Sequence, residues 1–335
     1  EAGGIVLQVL GFRDKLHILA RTVCQTLSSL SLQSWRQVKH QQERAFRNAA
    51  QGQAYHQALK TLEELLLQRP SISELFEATS LLEEEDGTKL FAKFFSPGKC
   101  HVEGIIVGNL DCADAVQLLD SVLDPFRCLY QQVGLSGESP KRSSVASHVP
   151  ARVELLLPRV PRISSENQVT NLTNPNLTNL TILLLDGTNS EDRNSCAVES
   201  LCNIAVATPE NEALAALLMH IWKPMFFNEL RTRQQLGYVV SSFMRTRVTH
   251  TSLIFLVQTE RAPEVALKSM DTFLDHLFHH ISVLTENEFH EQCASLIKQL
   301  EEPPQSIWEA LSQEWLHVQE RTFAFDTRKQ QVKFL

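Results

Sequence analysis

Residues 226–240 read Phe226-Phe227-Asn228-Glu229-Leu230-Arg231-Thr232-Arg233-Gln234-Gln235-Leu236-Gly237-Tyr238-Val239-Val240, and the pattern changes character halfway along. Upstream, Leu214, Leu217, Leu218 and Ile221 recur at helical spacing and lead towards Leu230. Downstream, Gly237–Phe243 and Ser252–Thr259 read as two short strands forming a hairpin. The quoted stretch is therefore the end of a helix entering a strand. Its helix has a specific start, since Thr208 sits as an N-cap with Pro209 at the first helical position. Pro224 should kink or restart it, because proline has no N–H for the helical ladder.

Working outward, helices are expected at Pro263–Ile281, Glu286–Leu300 and Gln305–Arg321, and strands at Leu201–Ala207, Leu180–Leu185 and Val153–Leu157. The first part of the chain repeats this order. Gly4–Leu10 reads as a buried strand, and a helix follows from Asp14 to Leu27. A long polar helix spans Ser34 to Gln68, and shorter helices cover Ile72–Glu84 and Lys89–Phe95. His101–Gly108 then reads as a strand. Ala113–Tyr130 is an amphipathic helix with Val116, Leu119, Val122 and Leu123 on one face. Residues 134–150 lose the apolar pattern and fill with Ser, Gly, Pro and charge, the signature of a linker. The Asn/Thr-rich stretch 167–181 reads as a surface insertion, with N-x-[ST] sequons at Asn171, Asn176 and Asn179. This alternation makes the fold class α+β, with an antiparallel-rich sheet packed against long helices.

Composition bounds the function. The 335 residues are 43% apolar and 21% charged, enough for sizeable cores and about two domains. A net charge of −8 argues against a nucleic-acid binder, and no apolar run approaches the ~18 residues of a membrane span. Seven cysteines, at 24, 100, 112, 128, 196, 202 and 293, are scattered and never spaced C-x-x-C, so they read as reduced and mostly buried. They favour the cytoplasm, while the sequons keep a secretory route open. The chain begins with Glu1, so the expectation is a processed chain or a piece of a longer one.

No complete catalytic constellation is present in the sequence. There is no phosphate-cradling P-loop, no G-x-S-x-G elbow and neither H-E-x-x-H nor H-x-x-E-H. The nearest approach is His40-Gln-Gln-Glu43-Arg44, in which Arg replaces the second His and cannot ligate a metal. His276, His279 and His280 lie at i, i+3 and i+4, but no third ligand accompanies them. The chain's own metal-site residues are therefore read as none.

The 226–240 segment nonetheless closely resembles the F-N-x-L-R-T-x-x-Q-L-G-Y-x-V signature of insulin-degrading-enzyme-like, pitrilysin-type zinc metallopeptidases. Similar stretches are Leu7–Asp14, Val102–Leu110 and Ile254–Thr259 followed by Pro263. The resemblance implies two clamshell halves of paired αβ domains, with the zinc and its motif in the N-terminal half. Residues 1–133 would be the C-terminal part of the third domain and 134–150 the linker. Residues 151–335 would be the fourth domain, with its insertion at about 164–181. The implied partners are the zinc-bearing N-terminal half and peptide substrates, and this chain alone should be inactive. The resemblance also implies that Arg231 hydrogen-bonds a substrate carbonyl and that Tyr238 donates to the developing oxyanion beside the zinc. Phe227 would line the pocket just after the scissile bond. Two alternatives stay open. Arg231 could pair with Glu229 or another acid while Phe227 and Tyr238 serve as core aromatics, or the chain could be a catalytically inactive paralogue acting as a scaffold. Gln299-Leu-Glu301-Glu302-Pro303-Pro304 stands where relatives with an anion-binding patch carry Lys and Arg, which argues against polyanion regulation there.

Overall fold

The computed structural model describes residues 5–28, 34–67, 69–94, 104–132, 169–170, 182–183, 192–205, 208–246, 250–319 and 323–335. They form two compact units. One draws on described residues of 1–41, 80–151 and 304–323, the other on those of 42–79, 152–303 and 324–335.

Helices dominate the first unit. α1 (Arg13–Ser28) lies along α6 (Cys112–Gln132), burying Ala20, Cys24 and Leu118, and Arg13 forms an ion pair with Asp114. The apolar face of α6 differs from the one expected. Leu118 points inward, whereas Val116 and Leu119 remain exposed, because the α1 side of the helix is the covered one. The start of α2 (Trp35–Ala50) holds the end of α4 (Ile72–Leu81) and the following turn. Lys39 Nζ donates to the Ser80 and Leu82 carbonyls at 2.7 and 2.8 Å. α5 (Glu84–Phe94) presents Gly87 to the Trp35 ring, where a Cβ would lie 2.6 Å from a ring carbon. α10 (Ile307–Gln319) also belongs to this unit.

In the second unit a three-stranded antiparallel sheet has the order β3 (Ser195–Ala205), β5 (His250–Thr259), β4 (Val239–Thr246). Register puts Glu199, Phe255 and Ser242 in one row, hence on one face. That face is covered by α7 (Pro209–Phe226) and α8 (Pro263–Val283). Phe255 packs against Trp222 and, edge-on at 5.1 Å, against Phe226, which in turn meets Phe273 of α8. The opposite face carries Ile254, Leu256, Gln258 and Arg245, and α3 (Ala54–Leu67) lies over it. There Arg245 Nη1 donates to Glu63 Oε1 at 2.8 Å. A sheet buried on both faces reads as an apolar run, and Leu253–Val257 is such a run.

α9 (Glu286–Glu301) and α11 (Thr327–Phe334) pack on α7, where Gln331 Nε2 donates to the buried Glu212 carboxylate at 2.9 Å. A separate two-stranded ribbon pairs β1 (Val169–Thr170) with β2 (Ile182–Leu183).

Several expectations are corrected. Residues 5–12 form no strand; Ile5, Val6, Leu7 and Leu10 are exposed, and no neighbouring strand pairs with them among the described residues. Residues 104–107 likewise lack a ladder partner. The expected helix over 34–68 is two helices, α2 and α3, because the chain turns at Gln51 and Gly52, where Gln57 Nε2 donates back to the Gly52 carbonyl at 2.7 Å. β3 starts at Ser195, earlier than its apolar run, since the ladder tolerates Ser195 and Glu199. Helix α11 has no strong apolar period and was not expected. The linker at 134–150 and the expected Val153–Leu157 strand lie outside the described residues.

Candidate active-site segment

α7 begins as its sequence dictates. Thr208 is extended, and its hydroxyl accepts from the Asn211 N–H at 3.2 Å, with Pro209 at the first position. The helix runs through Pro224 unbroken and then widens into a π-helical turn, Phe227–Arg233. The Gln234 N–H reaches back five residues to the Glu229 carbonyl at 2.9 Å, and the Leu236 N–H reaches the Leu230 carbonyl at 3.0 Å. Phe226, Leu230 and Leu236 are the buried anchors of this turn. Widened turns of this kind are rare and concentrate at functional sites.

Glu229 clamps the outside of the turn. Its Oε2 accepts from Arg233 Nη1 at 2.9 Å and its Oε1 from Gln234 Nε2 at 3.1 Å. Arg233, not Arg231, is therefore its ionic partner. The Arg231 guanidinium lies over the Tyr238 ring, 5.1 Å from the centroid, within the range of a cation–π contact. Phe227 is 47% exposed and Tyr238 84% exposed, so neither is a core aromatic. The structure thus brings Arg231 and Tyr238 together. Phe227 shares the π-turn with Arg231 and makes no ring contact with Tyr238 among the described residues.

The crossing from helix to strand is tightly held. Gln235 has φ of 51°, a left-handed conformation that costs a non-glycine residue energy. At Gly237 a Cβ would stand 1.7 Å from the Gln258 carbonyl oxygen, so only glycine allows the turn to lie against β5. The Thr259 hydroxyl donates to the Leu236 carbonyl at 2.6 Å, inside the core. Gln258 Oε1 accepts from the Tyr55 N–H at 3.2 Å, and Asp192 Oδ2 from the Ala54 N–H at 3.0 Å, so the start of α3 is capped by side chains flanking the sheet. Sequence reasoning missed Gln235, Gln258 and Thr259, and offered Glu229 to Arg231 where the structure gives it to Arg233. Gly237 carried a signal, since glycine within a strand pattern marks close backbone approach.

Elsewhere the candidates disperse. His276 and His279 are exposed and His280 half-buried on α8; His40 and Arg44 are exposed on α2. Among the described residues no group of three or more His, Cys, Asp or Glu could hold a metal ion, so these residues do not fit a zinc site. No described helix is long and apolar enough to cross a membrane. Cys24, Cys112, Cys196 and Cys293 are free thiols, and burial pushes Cys196 up to about 12, which keeps it unreactive. A buried acidic group lies on the sheet. Glu199 is pushed up to about 8 by burial first and then by Asp271 and Asp275 of α8.

Known proteins share this pattern. A model of the middle or third domain of M16 peptidases matches residues 1–78, and a model of C-terminal lobe domain 4 of PqqF-like PQQ synthases matches residues 217–315. Human insulin-degrading enzyme (Homo sapiens) is 22% identical over 338 residues, covering 99% of this chain and 30% of the enzyme. Coenzyme PQQ synthesis protein F of Pseudomonas protegens is 32% identical over 110 residues, 32% of this chain and 13% of that protein. The crystal structure of pitrilysin superposes with a TM-score of 0.67 at 19% identity, covering 97% of this chain and 31% of pitrilysin, and so shares the α+β fold. The chain spans under a third of the length of these proteins. Together these matches support an insulin-degrading-enzyme- and pitrilysin-type M16 C-terminal region for this chain.

Proposed function

We propose that this chain is the C-terminal, substrate-enclosing half of an insulin-degrading-enzyme-like metalloendopeptidase that hydrolyses peptides. Residues 1–133 then belong to a third domain and 151–335 to a fourth, a division supported by the family models at 1–78 and 217–315. Zinc belongs to a partner N-terminal half, where it supplies the Lewis-acid chemistry. Nothing done by this chain's residues runs through it.

One observation carries the reading: the Arg231 guanidinium rests on the Tyr238 ring, and the ring is solvent-facing at the mouth of a rigid turn. Arg231 offers a planar fork of N–H donors and Tyr238 a phenolic O–H donor. A cation on the ring face leaves the phenolic O–H free to donate. In the enclosed site Tyr238 donates to the oxyanion that develops on the scissile carbonyl. Arg231 holds a neighbouring backbone carbonyl of the peptide, and Phe227 supplies the apolar contact for the side chain that follows.

The test is Tyr238→Phe in the enzyme assembled with its zinc-bearing half. Removing one oxyanion donor should lower kcat on the order of a hundredfold with little change in KM. An unchanged kcat would remove the role and, with it, this reading of the site.

A further inference from the structure

Tyr238 is 84% exposed, and the Arg231 guanidinium lies over its ring. A side chain with so little packing around it cannot set its own place. The backbone that launches it must do so, and that backbone is pinned from β5.

Three contacts do the pinning. Gly237 lies so close to the Gln258 carbonyl that no side chain fits. Val239 pairs with Gln258 in the ladder. Between them in effect, Thr259 is 1% exposed, and its hydroxyl uses both its proton and a lone pair. Oγ1 donates to the Leu236 carbonyl at 2.6 Å and accepts from the Arg261 N–H at 3.1 Å. The hydroxyl thus ties the residue two before Tyr238 to the last residue of β5 and to the turn beyond it. Gln258, beside it, is itself 7% exposed and anchored through Oε1 to the start of α3, so the tie leads into the fixed part of the sheet. A strained Gln235, with φ of 51°, precedes the tied residue, and such strain persists only where the surroundings over-determine it.

We infer that Thr259 is a positioning residue for Tyr238: its buried hydroxyl holds the Leu236–Gly237 turn in the one geometry that aims the tyrosine. This rests on the role proposed above for Tyr238. Displacement of a donor by about an ångström can cost up to a hundredfold in rate. Thr259→Val keeps the shape and loses the hydroxyl, while Thr259→Ser keeps the hydroxyl.

In the assembled enzyme, Thr259→Val should lower kcat about tenfold with KM within about twofold, and Thr259→Ser should restore kcat to within about twofold of the parent. Added to Tyr238→Phe, the Val substitution should lower kcat no further, because the group it places is already gone. A merely structural role predicts instead that the two effects multiply. Multiplying effects, or a Thr259→Val enzyme with parental kcat, overturn the inference while leaving the Tyr238 role intact. A Tyr238→Phe enzyme with parental kcat overturns both. If the Val variant fails to fold, Thr259→Ala against Thr259→Ser isolates the same oxygen atom, and equal kcat values for that pair overturn the inference.

Discussion

Gly237 and Gln235 stand two residues apart with opposite tolerances. The Gln258 carbonyl fills the space that a Cβ at 237 would take, at 1.7 Å, and a clash with backbone cannot be relieved by a rotamer change. Gly237→Ala should therefore destabilise the chain by about 3 kcal/mol or more, read from the midpoint of urea unfolding at constant slope. Gln235 sits at φ of 51°, where glycine is at ease. Gln235→Gly should be neutral or stabilising by up to about 1 kcal/mol in the same measurement, and a loss of stability would show that the glutamine side chain holds the turn. Gly237 was readable in the sequence because a glycine stands at the point where the helix pattern gives way to the expected strand Gly237–Phe243. The left-handed Gln235 was not, since nothing local distinguishes it from Gln234. The same holds for Arg231. Its neighbour Glu229 offered an obvious ionic partner, and only the turn geometry hands that acid to Arg233.

Helix starts follow local rules and were legible. Thr208-Pro209 caps α7, and Thr285 with Glu288 forms a capping box at α9, each side chain satisfying a backbone N–H of the other. Thr208→Ala should cost about 1 kcal/mol of stability, with Thr208→Asp recovering most of it. Full retention of stability in the Ala variant would mean that the cap is redundant with the packing of α7. The π-turn at its other end was not legible. It sits where Phe226, Leu230 and Leu236 are buried and the chain passes from α7 to β4, a placement set by contacts remote in sequence. The missed break between α2 and α3 has a similar origin: the start of α3 is capped by Asp192 and Gln258, residues remote in sequence.

At the scale of the whole molecule, the unit built on the sheet is layered, with α3 on one face and α7 and α8 on the other. Glu199 lies within the second interface, 3% exposed, and its Oε2 has no hydrogen-bond partner. Burial and the facing Asp271 and Asp275 raise its pKa to about 8, against an ordinary value near 4.5. The folded form thus binds a proton more tightly than the unfolded form. The stability contributed by this group is full below about pH 4.5 and is lost as pH rises towards about 8. Glu199→Gln should be more stable than the parent by on the order of 2 kcal/mol at pH 8, and the difference should shrink as pH falls to 5. A pH-independent difference would show that Glu199 does not titrate in this window. Across the other face, Arg245 and Glu63 join β4 to α3 and are each about 30% exposed. A double-mutant cycle on the pair should give a coupling of about 0.5–1 kcal/mol, since partial exposure screens it.

Much of this was determined by the sequence alone: the α+β class, the starts of α7, α8 and α9, the β4–β5 hairpin, and the motif that carries Arg231 and Tyr238. Those features depend on neighbours a few residues away, on periodicity, capping and turn chemistry. Only the tertiary structure decided that residues 5–12 find no strand partner among the described residues, that α3 covers the sheet, that Glu199 is entombed beside two aspartates, and that Thr259 holds the turn before Tyr238. Each of these is a contact between segments distant along the chain. A residue's type does not reveal which distant backbone will lie against it, and burial, strain and pKa all follow from that contact.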